Sequence, residues 1–231
     1  MKRRMLLLRV GSKLAITAAV AGGMSGCLIG GDDRERVVAY GVAEPVRTLV
    51  VQGRTGDIKV TGGGAAVRVT EHRTYRGAEP VATHTTADGT LTLGYHCPDG
   101  DCGVGYDIEV PAGTVVRVAN ETGSVALSGL GAEVDVRTGT GDVKAVGLTS
   151  PTVRLEARTG GVSARFSTGP VTVRADTRTG DVRVEVPREG TYAVEAATRT
   201  GDLKVGVARD DAAARRITAR TDTGDVTVAD A

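Results

Sequence analysis

Residues 171–186, VTVRADTRTGDVRVEV, contain the pattern from which the fold of this chain can be predicted. Before Gly180, apolar or threonine side chains alternate with polar ones at a period of two. After Gly180 the alternation continues as Val182, Val184 and Val186, one position out of phase. A period of two is typical of a β-strand. Because glycine readily takes a positive φ, a phase slip at glycine predicts a corner between two strands.

The same Thr-Gly corner recurs seven times, with aspartate after the glycine in five copies. The corner residues are Thr55-Gly56-Asp57, Thr122-Gly123, Thr140-Gly141-Asp142, Thr159-Gly160, Thr179-Gly180-Asp181, Thr200-Gly201-Asp202 and Thr223-Gly224-Asp225. Seven residues before each glycine, and two and four after it, every copy has an apolar side chain. A unit of about 20 residues, the spacing of most copies, has no room for a helix between its strands. The sequence therefore predicts an all-β chain, a single-domain parallel β-solenoid whose like residues stack.

The aspartates of the corners predict a row of charge on the outer surface. Stacked carboxylates repel one another, so something must neutralise them. A basic residue stands two positions after the aspartate in four of the five copies, namely Lys59, Lys144, Arg183 and Lys204. We therefore expect ladders of opposite charge on a solvated face. Bound Ca²⁺ is the alternative, although the basic row opposes a cation and the GGxGxD nonapeptides of calcium-binding β-rolls are absent.

The beginning of the chain has the pattern of an export signal. A basic segment precedes a short apolar run, which is too short to span a bilayer as a helix. Met24-Ser25-Gly26-Cys27 then resembles the bacterial lipoprotein box. We predict a cleaved lipoprotein signal peptide at 1–26, a lipid anchor on Cys27 and a flexible tether at 27–45, ahead of the repeat domain at 46–231. An ordinary secretory signal with Cys27 near its cleavage site is the alternative.

Composition and charge exclude several classes of partner. The chain has 33 glycines in 231 residues, no tryptophan and only 3% aromatic residues. Its net charge is +1, but residues 1–26 contain five basic residues and no acidic one, so the mature chain carries −4. Nucleic-acid binding needs a basic surface, and single strands also need stacking aromatics, so we expect no nucleic-acid partner. No motif predicts a cofactor.

Residues 64–111 interrupt the repeat and are expected to form an irregular insertion. They contain all the histidines and the last two cysteines of the chain, namely His72, His84, His96, Cys97 and Cys102. Four residues, Pro-Asp-Gly-Asp, separate the two cysteines, and in an exported protein this spacing predicts a disulfide that closes a hairpin tip. A metal site built from the cysteines and nearby histidines, or two free thiols, remain alternatives.

The motifs give no support to catalysis. The sequence contains no hydrolase elbow, phosphate loop, HExxH or dinucleotide fingerprint. Outward carboxylates such as Asp176, Asp181, Asp202 and Asp225 could imitate a polysaccharide-acting β-helix enzyme. They follow the repeat, however, whereas an active site is expected to break it. We therefore predict no enzyme, with no catalytic residues and no metal.

The lipoprotein box, the recurring Thr-Gly-Asp units and the segment Val110-Pro111-Ala112-Gly113 resemble a bacterial family of putative adhesins of unknown function. The resemblance covers about residue 46 to the end. It implies a right-handed β-solenoid displayed outside the cytoplasmic membrane.

The function expected from these features is a non-catalytic scaffold at the outer face of the membrane. It would be held there by its N-terminal lipid and would bind an unknown envelope or extracellular partner as a monomer. The alternative is an accessory or sensor subunit of an envelope-stress signalling system, with residues 64–111 as its contact surface. A weaker possibility is assembly through an open solenoid end at Val226-Thr227-Val228, because an unpaired terminal strand invites another chain.

Overall fold

The computed structural model describes residues 18–19 and 33–231, and in these residues the chain is all-β. The first ten strands are β1 (Ala18–Ala19), β2 (Arg34–Val42), β3 (Thr48–Gln52), β4 (Ile58–Gly62), β5 (Val67–Tyr75), β6 (Val81–Ala87), β7 (Thr90–His96), β8 (Cys102–Val110), β9 (Val115–Thr122) and β10 (Val125–Ser128). The others are β11 (Val134–Thr140), β12 (Val143–Leu148), β13 (Thr152–Thr159), β14 (Val162–Phe166), β15 (Thr172–Thr179), β16 (Val182–Val186), β17 (Ala193–Thr200), β18 (Leu203–Val205), β19 (Arg216–Thr223) and β20 (Val226–Asp230). The predicted lipidation of Cys27 lies outside the described residues, as does most of the predicted signal peptide.

The strands form two sheets. Sheet A has eleven strands in the order β1-β2-β5-β8-β4-β10-β12-β14-β16-β20-β18, and sheet B has nine in the order β17-β19-β15-β13-β11-β9-β3-β7-β6. Strands of the repeats pair in parallel, whereas β2, β5 and β8, like β6 and β7, pair antiparallel. Among the described residues no helix is long and apolar enough to cross a bilayer.

Each Thr-Gly corner joins a strand of sheet B to a strand of sheet A, and we call such a pair of strands a rung. Neighbouring rungs are in register: Val134 pairs with Val116 on one side and Val153 on the other. Side chains of the three apolar positions fill the core and are almost fully buried in every rung but one. Burial of each contributes about 1.5–3 kcal/mol before the entropy of ordering is subtracted.

The seven corner glycines share one backbone conformation, with φ between 133° and 141°. L side chains rarely adopt this region. A Cβ on six of these glycines would also overlap the carbonyl of the corner glycine in the adjacent rung, and a Cβ on Gly56 would overlap Val104. The glycines therefore form a continuous column in which one rung's backbone packs directly on the next.

The rungs do not stack in chain order at the carboxyl end. The rung of β19 and β20 lies between that of β15 and β16 and that of β17 and β18. The last strand of the chain is thus internal, and the expected open end at Val226-Thr227-Val228 is wrong. Instead β17 and β18 form this end of the described structure.

Residues 64–111 form four regular strands, β5 to β8, rather than an irregular insertion. Strand β7 pairs in parallel with β3 and β8 with β4, so they add a rung outside the first Thr-Gly rung. Leu91 pairs with Leu49 and Ile108 with Val60. The loop between β7 and β8 takes the place of the Thr-Gly corner and is closed by a disulfide between Cys97 and Cys102, as the spacing predicts.

Two separate alanine substitutions, at adjacent glycines, test whether the corner glycines pack in a column. Gly160→Ala places a Cβ against the Gly141 carbonyl at a φ of 134°, and we expect it to lower the free energy of unfolding by about 3 kcal/mol or more. Gly161→Ala is the matched control, because its Cβ would meet nothing closer than 3.6 Å, and its effect should stay within about 1 kcal/mol. Urea unfolding measures both, and equal losses would contradict the column.

Candidate functional site

Within residues 33–231 the corner aspartates are not paired with the basic row, although the expected charge ladder would require such ion pairs. Instead the Asp142 carboxylate accepts a hydrogen bond from the Gly161 backbone N–H at 2.7 Å, and Asp181 accepts one from the Asp225 N–H at 2.8 Å. Asp57 and Asp225 do the same toward Ser124 and Asp202. These charge-assisted bonds connect four of the six pairs of neighbouring Thr-Gly rungs, so these four aspartates are structural, whereas Asp202 accepts no such bond within residues 33–231.

A second column, three residues before each corner glycine, satisfies the carbonyls of the glycine column. The Thr177 hydroxyl donates to the Gly160 carbonyl at 2.9 Å, and the Asn120 amide donates to that of Gly56 at 3.0 Å. Thr138, Thr198 and Thr221 make the equivalent bonds to Gly123, Gly224 and Gly180. This column was not recognised in the sequence, although the recurring threonine was a visible signal.

A buried ionic cluster closes the end of the molecule that β2, β5 and β6 cover. The Glu71 carboxylate is 1% exposed. It accepts hydrogen bonds from the Tyr40 hydroxyl at 2.8 Å and from Arg73 Nε at 2.9 Å. Arg73 also donates to Glu79 at 2.6 Å. Burial, and then the charge of Glu71, raise the pKa of Tyr40 well above its usual range. Every group of the cluster is paired, so the cluster stabilises the end of the molecule formed by β2, β5 and β6, which we call the cap.

A groove lies where this cap meets the Thr-Gly rungs, along the corner side of sheet B. Its volume is about 1000 Å³, and β3, β6, β7, β9, β11 and β13 all contribute to its lining. Tyr95 fixes its wall, because the Tyr95 hydroxyl donates to the Thr55 carbonyl at 2.8 Å and accepts from the Thr55 N–H at 2.6 Å. The groove thus joins residues of the segment 64–111 to residues of the repeats.

Three arginines give this groove its charge. Arg54 lies 3.7 Å from Glu121, and Arg137 is held by Asp135 at 3.0 Å and Glu156 at 3.2 Å. Arg158 lines the same groove and is exposed. It makes no ion pair or side-chain hydrogen bond with any residue between 33 and 231. The groove therefore offers one guanidinium free to bind an anionic group, with two more nearby.

The structure separates the residues that a metal site would need. Cys97 and Cys102 are joined to each other, so their sulfurs are not available as thiolate ligands. His72 lies on sheet A with its Nε2 3.0 Å from Asp107, whereas the His84 ring packs 4.9 Å from that of Tyr40. His96 lines the groove.

The carboxylates that the sequence suggested for an enzyme have different surroundings in the structure and do not form one site. Asp176 lies on the outer face of sheet B, where burial raises its pKa despite Arg174 at 2.6 Å. Asp181 and Asp225 are occupied at the corners by backbone N–H groups. A raised pKa suits a general acid, but Asp176 forms an ion pair rather than facing the groove.

Comparison with known proteins identifies the fold. The family described as Toastrack DUF4097 matches residues 44–229. A putative cell adhesion protein from Clostridium sporogenes is 12% identical with a TM-score of 0.54, and the match covers 86% of this chain and all of that one. A putative adhesin from Bacteroides fragilis is 13% identical with a TM-score of 0.48, over 86% and 97% of the two chains. No curated protein matches the chain.

Replacement of one buried threonine tests the column that satisfies the glycine carbonyls. Thr177→Val keeps the shape but removes the donor to the Gly160 carbonyl, so we expect the free energy of unfolding to fall by about 1–3 kcal/mol. Thr179→Val is the control, because Thr179 is exposed on the same strand, and its effect should stay within about 0.5 kcal/mol. Urea unfolding measures both, and an unchanged Thr177→Val protein would contradict the role given to the hydroxyl.

Proposed function

This chain belongs to the Toastrack DUF4097 family, and from that premise we propose that it is a non-catalytic, lipid-anchored scaffold at the cell surface that binds an anionic envelope or extracellular partner. The observation that carries this proposal is the groove of about 1000 Å³ at the border between the cap and the Thr-Gly rungs. It is the place where a rigid repeat scaffold presents a concave polar surface. Its free guanidinium, Arg158, is suited to phosphate or carboxylate.

The architecture supports binding rather than chemistry. Backbone hydrogen bonds between rungs and close backbone contact at the corner glycines hold much of the fold, so outer side chains other than the corner aspartates are available for binding. The groove is lined by four threonines, three glycines and three arginines, together with residues such as His96 and Glu121, and its guanidinium groups are suited to bind and position an anionic group. We also propose that the domain is a right-handed solenoid with rungs of about 20 residues.

Anchoring and location follow from the sequence of the N-terminal segment. We infer that residues 1–26 are removed, that Cys27 carries the lipid, and that residues 27–45 tether the domain to the outer face of the membrane. Names of the structural relatives place those proteins among adhesins, which is consistent with a surface location here.

The second candidate is an accessory or sensor subunit of an envelope-stress system. It is favoured by the contribution of Thr83, Gly94, Tyr95 and His96, all within residues 64–111, to one wall of the groove. In that case the groove would bind a membrane protein rather than a cell-wall polymer.

Charge reversal in the groove tests the proposed binding. The unlipidated chain is titrated against isolated cell-wall polymer and against membrane vesicles from the same bacterium. Arg158→Glu should weaken binding about tenfold, or about 1.4 kcal/mol. Arg178→Glu is the matched control: Arg178 occupies the same exposed position on the next rung but does not line the groove.

Binding of polymer supports the scaffold, and binding only of protein-containing vesicles supports the accessory subunit. Equal binding by both variants, or binding to neither preparation, would contradict the proposed use of the groove.

Lipidation of Cys27 is tested by metabolic labelling. Labelled palmitate should enter the chain, and Cys27→Ala should abolish the label and release the protein from the membrane fraction, because the acyl chains supply the anchoring energy. A double variant with Cys97→Ala and Cys102→Ala is the control and should keep the label. Membrane retention of unlabelled Cys27→Ala protein would overturn the anchor.

A further inference from the structure

The rung of β17 and β18 exposes core positions that every other Thr-Gly rung buries. Two residues after the corner glycine, Leu203 is 50% exposed. The six equivalent side chains are at most 1% exposed, and they are Ile58, Val125, Val143, Val162, Val182 and Val226. Val205 and Val194 are half-buried where their counterparts are buried. The apolar core is therefore open at this end, and a further rung would cover it.

The hydrogen-bond ladders also stop at this rung without being completed. In the inner Thr-Gly rungs a corner N–H donates to the threonine carbonyl of the next rung, as Gly224 donates to Thr200 at 2.9 Å. The Gly201 N–H and the Asp202 carboxylate make no such bond within residues 33–231. The outer edge of β17 is likewise unpaired in that part of the chain, and the nearest bridge joins Tyr192, just before the strand, to Arg209. An unpaired edge of this kind is a template for another strand.

The charges on the outer face of β17 are self-complementary. Glu195 and Arg199 are both exposed and are equally distant from Ala197 along the strand. If two copies of β17 pair antiparallel with Ala197 at the centre, Glu195 of each lies opposite Arg199 of the other. Each is already joined to an opposite charge in its own chain, Glu195 to Arg220 and Arg199 to Asp222. In the dimer, each row of alternating charges in one copy would therefore continue into the other copy.

From these observations we propose that two copies of this chain join end to end through β17 and β18. A closed dimer of identical surfaces requires a two-fold axis, and such an axis makes the two β17 strands antiparallel. Small side chains at Ala197 permit close approach, and Leu203 of each copy is covered. At the opposite end, antiparallel strands and the Glu71 cluster cover the core. Because the two-fold contact uses the β17–β18 end of both copies, assembly through that end stops at two copies, in contrast to the monomer expected from the sequence.

A cysteine at the proposed axis tests the dimer on the full chain in its own membranes. Cys97 and Cys102 are already bonded to each other, so Ala197→Cys adds a free thiol that would face its own copy. We expect mild oxidation to shift this variant to twice the monomer mass. Ala119→Cys is the matched control, because Ala119 is exposed at the same position of an inner rung, and it should remain monomeric. The wild-type chain, whose Cys27 is expected to carry the lipid and so to have no free thiol, gives the background.

Charge reversal then tests the register. In the Ala197→Cys chain, Glu195→Arg should reduce the covalent dimer, and adding Arg199→Glu should restore it. The wild-type chain in detergent should sediment with the mass of two chains, a measurement that needs no substitution. The proposal is overturned by a monomeric wild-type mass, by equal dimer from Ala119→Cys and Ala197→Cys, or by an adduct with another protein instead of a dimer.

Discussion

Direct backbone contact between corner glycines governs how the rungs stack. Each corner carries a φ near 137° and leaves no space for a Cβ beneath the neighbouring rung. Close approach at the corner sets the in-register stacking of the valine columns and brings Asp142, for example, within reach of the Gly161 N–H. The corners thus combine a steric requirement with two hydrogen-bond ladders, one through aspartate and one through the buried threonines.

The two ends of this stack differ in physical character. One end has antiparallel strands and a buried carboxylate, Glu71, whose partners include Tyr40 and Arg73. The other ends on a repeat rung with its core position Leu203 half exposed. The groove with Arg158 lies near the capped end, so the proposed partner binding and the proposed self-association would use different parts of the molecule. A dimer joined at β17 and β18 would place two grooves at opposite ends.

Much of the fold could be predicted from the sequence, because seven copies of one pattern place apolar residues at the same inward positions. The order of the last two rungs could not: Gly201 and Gly224 have the same corner and the same apolar positions, so either rung fits beside Gly180. The rung of β7 and β8 was missed because a disulfide loop replaces its Thr-Gly corner. Gly53 and Ala157 interrupt the threonine column and concealed its role. The groove needs strands distant in sequence, so no local pattern indicates it.

A crystal structure of the mature chain would give the positions of the Cα atoms of the seven corner glycines. We expect these atoms to form one column with steps of about 4.8 Å, the spacing of paired strands. Along that column Gly224 should lie between Gly180 and Gly201. Glycines scattered over the surface, or a column with Gly201 beside Gly180, would contradict this arrangement.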